Sequence, residues 1–393
     1  MKRVEAFPLG ARVRLDDLDR DPYPTFHELR AHEPVSWVAE TSMWFVTRRD
    51  DVLAVLRAPD VFGTDHPGST IRDTFGPQML SLDGELHHRY KKLCAPMFAA
   101  GAVQASMAAP LERFVRDRLA RVREAHTAEM RSTLASPLAL WTMARLLGLP
   151  LDRVDDLRTW YDDFAAALAN FRGDPDVRQR AAASVASFRE LVASLLPDLD
   201  VGGGLLASLR LEAAPPLELE AIVSNLLIVL FGGIETTESL ILNLLWTVLE
   251  RPALVRRVAA DPSLRASVIE ETLRWEPPVQ SCTRHVRRAT VLRGVALAEG
   301  DTVQCMIGAA NRDPAHFADP DVFDHQRPNA GDHLSFGAGP HFCLGAALAR
   351  LEASVALAVV CAELEGARLD RDRPSSPRGY EFRKPPALWI RWA

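Results

Sequence analysis

Apolar residues recur at helical spacing through "LELEAIVSNLLIVLFGGIETTESLILNLLWTVLE", a pattern of roughly 30 positions. Its longest charge-free run before Glu235, Ala221 to Ile234, has 14 residues, short of the ~20 a bilayer requires, so it predicts a long buried helix and no membrane span. Helical periodicity also dominates residues 85 to 200, where Asp174 before Pro175 marks a helix start. Upstream, "DPYPTFHELRAHEPVSWVAETSMWFVTRRDDVLAVLRAPDVF" predicts helix, two short strands and helix, the last capped by Asp50 or Asp51. From about Gly63 to Gly84 the pattern dissolves into a polar loop of the length that functional segments have. "VGGGLLASLRLEAAPP" predicts a flexible connection. Near the C-terminus, "ATVLRGVALAEGDTVQCMIGAA" alternates like a hairpin around Glu299, Gly300 and Asp301, and "ALWIRWA" resembles a closing strand. The expected fold is mainly α with small β-sheets, in a single domain over 1–393.

Composition narrows the function classes. With 48% hydrophobic and 25% charged residues the chain has ordinary soluble composition, and a net charge of -6 gives no reason to expect nucleic acid. The N-terminus has no apolar stretch of signal-peptide length, which predicts a cytoplasmic protein. Five cysteines, Cys94, Cys282, Cys305, Cys343 and Cys361, are scattered without a C-x-x-C pair, which argues against a disulfide framework or a structural zinc site.

The densest chemistry lies in "HLSFGAGPHFCLG", His333 to Gly345. A thiol is a ligand or nucleophile only as the thiolate, and a helix N-terminus favours that anion. Cys343 is expected to open the helix "CLGAALARLEASVALAVVCAEL", and Gly337, Gly339 and Gly345 permit a flat, bulky group to approach the backbone. The glycines lack the G-x-G-x-x-G register, and no G-K-[ST] follows for a phosphate loop. A cysteine hydrolase, with His341 or His333 as base to Cys343, is a further reading, but it leaves Phe336 and the glycines unexplained.

Phe336, Gly339, Cys343 and Gly345 match F-x-x-G-x-x-x-C-x-G, which resembles the haem-binding loop of the cytochrome P450 family. "FGGIETTES" resembles that family's distal helix, and "ETLR" in "VIEETLRWEPP" its E-x-x-R helix. The resemblance extends over most of the chain. It implies haem b with Cys343 as thiolate ligand, and Glu235 and Thr236 as an acid–alcohol pair delivering protons. It further implies a buried network of Glu271, Arg274 and Arg327 supporting the cysteine loop. By the same resemblance, Arg284, His341, His87 and Lys91 hold the haem propionates, although the family commonly has arginine where Lys91 stands, and an ammonium cannot form the bidentate fork.

The implied activity is insertion of one oxygen atom from O2 into a small or medium, mostly apolar organic substrate. No flavin or nicotinamide domain is recognisable, so the resemblance implies electrons from NAD(P)H through a ferredoxin and its reductase. Arg89, Lys91 and Lys92 offer a basic face for such an acidic partner, or an ordinary solvated turn. The implied substrate pocket comprises the loop Phe62 to Leu82, Phe231, Gly232, Ile234, Val279, Gln280, Ser281 and Phe382. A peroxide-driven peroxygenase of the same fold is expected to lack the acid–alcohol pair, and a haem-thiolate sensor would have no use for it.

Overall fold

The computed structural model describes residues 2–66, 69–170, 173–199 and 203–393. Residues 67–68 of the loop assigned to the pocket, and residues 201–202 of the expected connection, lie outside the described residues. The chain divides into two compact units, one comprising Met1–Gly63, Ala108–Ala135 and Thr236–Ala393, the other Thr64–Met107 and Ser136–Glu235.

The first unit is organised by a five-stranded sheet in the order Val35–Val38, Met43–Val46, Thr302–Met306, Ser281–Val286, Phe62–Gly63. Only the pairing of Met43–Val46 with Thr302–Met306 is parallel. Alternation along the strands sorts side chains onto two faces. Trp44, Val46, Val303 and Cys305 turn into a core shared with the helix Arg49–Leu56 and with Leu334 and Ala338 of the cysteine loop. Phe45 and Met306 turn to the opposite core, under the helix Tyr23–His32. The sheet thus seats the start of the cysteine loop by burying two of its apolar residues.

The second unit is helical. Pro175–Leu195 starts as expected, with the Asp174 side chain accepting the Asp176 N–H at 2.9 Å and proline in the first turn. Val154–Leu168 buries Leu157, Trp160, Tyr161 and Phe164, the spacing of one helical face, and carries Asp155 and Asp156 in its first turn, where the helix dipole favours acids.

Several local expectations are corrected. The helix Arg49–Leu56 has Arg48 at its N-cap position without a side-chain capping bond, and Asp50 and Asp51 lie inside its first turn. The polar loop contains a short helix, Thr70–Phe75, whose N-cap Ser69 accepts from Arg72 N–H. The expected flexible connection contains the helix Gly204–Leu211, because Leu205, Leu206 and Leu209 are buried on folding. The C-terminal hairpin turns at Arg293 and Gly294, both with positive φ, between Thr290–Leu292 and Val295–Leu297. Thr302–Met306 instead joins the large sheet. The long helix is Leu219–Leu249. By length and composition it is apolar enough to cross a membrane, but most of its apolar stretch is buried inside the protein.

Candidate functional site

Beyond Leu334 and Ala338 the cysteine segment folds back on itself, and the Cys343 N–H donates to the Phe336 carbonyl at 2.8 Å. Two glycines make this reversal possible, with φ of +69° at Gly337 and +70° at Gly339. A Cβ on Gly339 would also overlap the carbonyl oxygen of Leu56. The following helix is Ala346–Glu363 with Gly345 at its N-cap, so Cys343 lies in the loop feeding the helix and does not open it, as the sequence had suggested.

Cys343 is exposed, which separates it from the other cysteines. Burial pushes the thiols of Cys94 and Cys305 up to about 12 and that of Cys361 to about 11, and it raises Cys282 as well. Those four thiols are held protonated and behave as small hydrophobes. Among the described residues no group of three or more His, Cys, Asp or Glu side chains is placed to hold a metal ion. Cys343 is thus the one exposed cysteine among the described residues, and a single thiol in a glycine loop can serve as a ligand.

The loop is held from two sides. Glu271 and Arg274, at i and i+3 in the helix Leu264–Trp275, are fully buried rather than a surface pair. The guanidinium grips both carboxylate oxygens at 2.7 Å, and its remaining donors reach the carbonyls of Asn311, Pro320 and Val322. Arg327 Nε lies 3.2 Å from Glu271 Oε1, and its other nitrogens donate to the carbonyls of Ala318, Asp319 and Val322. Asn311 then connects this cluster to the loop, accepting the Leu334 N–H at 2.7 Å and donating to Ser335 Oγ at 2.8 Å.

On the other side, Arg350 places its guanidinium 4.5 Å from the Phe336 ring centroid while pairing with both oxygens of Glu270 at 2.6 and 2.8 Å. Burial raises the Glu270 carboxyl, but hydrogen bonds and charge from Arg350 and His333 outweigh it and pull the pKa down to about 2. His333 accepts the Ser335 N–H at Nδ1 and brings Nε2 within 3.3 Å of Glu270. Nε2 makes no well-aligned hydrogen bond among the described residues, so its neighbour is the Glu270 charge. Sequence reasoning had left the role of His333 open and had missed Glu270, Arg350 and Asn311.

Arg284 is 7% exposed, on the sheet face that carries Val303 and Cys305. Its guanidinium donates to the Thr283 carbonyl at 2.8 Å, and among the described residues it makes no ion pair with a carboxylate. A buried cation without a counter-anion is costly. That environment fits an anionic group such as a haem propionate. His341 lies in the short turn Gly339–His341 of the same loop.

Val279 and Phe382 are brought together by an antiparallel bridge. Gln280 is fully buried, its Nε2 donating to the Pro277 carbonyl and its Oε1 packed against Gly308. Ser281 donates to Glu381 Oε2 at 2.9 Å and accepts from Gln304 at 2.9 Å. Burial pushes the Glu381 carboxyl up, against the donors Ser281 and Gln304. Sequence reasoning did not identify this polar cluster.

In the second unit, His87 and Lys91 lie at i and i+4 on the helix Gly84–Phe98. His87 is buried, and because its Nδ1 stands 2.6 Å from the Met79 carbonyl, which only accepts, that nitrogen carries the proton. Arg89 is half-buried and donates to the Pro215 carbonyl, whereas Lys92 is exposed. On the long helix, Phe231, Ile234 and Glu235 are buried, and Thr236, the next residue, is half-buried. The two glycines differ. A Cβ on Gly233 would overlap the Met143 side chain, so Gly233 serves close helix packing, whereas a Cβ on Gly232 would meet nothing within 4 Å. Glu235 accepts a hydrogen bond from Tyr161, which sequence reasoning did not identify.

Comparison with known proteins supplies an independent result. The family model described as "Cytochrome P450" matches residues 262–381. The chain is 33% identical over 367 residues to "Cytochrome P450 monooxygenase PikC" of Streptomyces venezuelae, covering 87% of this chain and 83% of that protein. It is 32% identical over 365 residues to "Cytochrome P450 107B1" of Saccharopolyspora erythraea, covering 87% of each. Among solved structures, that of P450BioI in complex with hexadec-9Z-enoic acid ligated acyl carrier protein superposes with a TM-score of 0.88 at 27% identity, over 96% of this chain and 100% of that one.

Proposed function

The chain belongs to the cytochrome P450 family, and from that premise we propose that it inserts one atom of O2 into a small or medium, mostly apolar organic substrate. Family membership implies haem b and electrons originating in NAD(P)H and passing through redox partners. Our reading makes those partners a ferredoxin and its reductase, and places the protein in the cytoplasm. When bound, haem supplies the iron at which O2 is activated, with a thiolate ligand favouring O–O cleavage.

The chain's own residues supply holding and proton control. Cys343 is the iron ligand, and Gly339 and Gly345 keep the backbone around it compact. The Phe336 ring is held by the guanidinium of Arg350. Arg284, His341, His87 and Lys91 are the propionate partners, with Lys91 acting as a point charge. Glu235 holds and releases a proton at its carboxylate, and Thr236 donates and accepts at its hydroxyl. The buried cluster of Glu271, Arg274 and Arg327 keeps the loop rigid through Asn311.

The observation that carries this reading is the exposed Cys343 in a loop braced from both sides. The test is the absorption spectrum of the reduced protein under carbon monoxide, for wild type and for Cys343→Ala. The red-shifted band of thiolate-ligated haem is expected in the first and absent in the second. An unchanged haem spectrum in Cys343→Ala overturns the ligand assignment. Product formation with peroxide alone, and none with NAD(P)H and redox partners, would replace the monooxygenase reading with a peroxygenase.

A further inference from the structure

Glu235 has a dedicated hydrogen-bond donor. Tyr161 lies on the buried face of the helix Val154–Leu168, and its hydroxyl donates to Glu235 Oε2. Both residues are buried, at 4% and 8% exposure. The tyrosine ring is fixed by its neighbours. Phe231, four positions before Glu235 on the same helix, stacks on it with centroids 6.1 Å apart at 29°. Phe231 meets Phe75 at 6.0 Å, and Phe75 meets Phe164 edge-on at 5.3 Å. A phenol buried among aromatic rings requires a partner for its O–H, and here that partner is the acid of the proposed proton relay.

We propose that Tyr161 is a positioning residue for proton delivery, holding the Glu235 carboxylate in one rotamer so that the acid is already in place when a proton is needed. This rests on the reading of Glu235 given above. A glutamate with several rotatable bonds loses proton-transfer efficiency when its carboxylate wanders, because transfer needs hydrogen-bond distance and alignment. The phenol restrains the carboxylate through one charge-assisted hydrogen bond and brings no positive charge of its own. Ring contacts also connect this bond to Phe75, the last residue of the short helix Thr70–Phe75, so the restraint extends to the segment assigned to the pocket.

The test uses the holoenzyme with Tyr161→Phe, which keeps the ring and removes only the hydroxyl. Product formed per NAD(P)H is expected to fall roughly tenfold, the missing electrons appearing as peroxide, while the substrate dissociation constant stays within about twofold. Glu235→Gln is expected to lose at least as much, and the double variant no more than Glu235→Gln alone, since the hydroxyl acts only through the acid. An independent readout is the carboxylate stretching band of Glu235 in the resting holoenzyme, isolated as the infrared difference between each protein and its Glu235→Gln counterpart. It is expected to shift when the hydroxyl is removed.

An unshifted band, or a loss of turnover that merely tracks loss of melting temperature and substrate affinity, would make Tyr161 a packing residue and overturn the proposal. Normal coupling in Tyr161→Phe beside impaired coupling in Glu235→Gln overturns the role of Tyr161 alone. Normal coupling in Glu235→Gln overturns the proton-relay reading itself. Should Tyr161→Phe fail to fold, 3-fluorotyrosine at position 161 preserves the packing and strengthens the donor. A band unchanged by that replacement overturns the proposal as well.

Discussion

Arg284 carries a charge in a place where, among the described residues, no carboxylate pairs with it. Replacing such a group with an apolar side chain of similar length removes a desolvation cost. Arg284→Met is therefore expected to stabilise the haem-free protein by about 1 kcal/mol in urea unfolding and to speed haem loss to an apo-globin acceptor, two effects of opposite sign. Gly339 offers a second check. With its positive φ and the Leu56 carbonyl against the missing Cβ, Gly339→Ala is expected to cost about 1–3 kcal/mol, measured by urea unfolding of the haem-free protein. Gly339 stands out in the sequence because it belongs to a short, contiguous signature, whereas Arg284 was singled out only by the family resemblance. Tyr161 does not stand out, since its partner is 74 positions away and any buried aromatic residue of an amphipathic helix would look the same.

Helices show the same division between what local spacing reveals and what only packing decides. The i, i+3 spacing of Glu271 and Arg274 is visible in the sequence, but a surface pair has the same spacing. Burial and the carbonyls of Asn311, Pro320 and Val322 make the difference. Glu271→Gln leaves Arg274 and Arg327 buried with their shared counter-charge removed, and is expected to cost about 3–5 kcal/mol in denaturant unfolding. On the long helix, the paired glycines were visible, but their different environments were not, because Met143 comes from the separate helix Ser136–Leu147. Gly233→Ala is expected to lower the melting temperature, and adding Met143→Ala to recover part of the loss, a non-additivity measurable by calorimetry. The helix Gly204–Leu211 was hidden by its glycine-rich approach, and only tertiary burial of its leucines explains why it forms.

For the chain as a whole, acid sensitivity follows from Glu270. Its pKa of about 2 in the folded protein lies below its ordinary 4.5, so its contribution to stability is fully present above pH 4.5 and is lost as the pH falls toward 2. Melting temperatures across that window are expected to fall less steeply in Glu270→Gln than in wild type. The fold class was legible because helical periodicity covers most of the chain, and the strand order was not. Thr302–Met306 pairs in parallel with Met43–Val46 far upstream and antiparallel with Ser281–Val286, bypassing Thr290–Leu292 and Val295–Leu297, whereas its alternating pattern suggested a partner within the same short hairpin.

The buried position of Glu271, Arg274 and Arg327 also governs how the protein responds to ionic strength. Mobile ions screen charges on the surface over roughly 8–10 Å of solution, but they do not enter a dry cluster. Added salt is therefore expected to leave the Glu271, Arg274 and Arg327 brace intact and, on the function proposed above, to weaken docking of a charged electron donor at the surface. A reduction rate that falls with salt, beside an unchanged haem spectrum, would locate the sensitive step in the encounter between two proteins rather than in the seat of the iron.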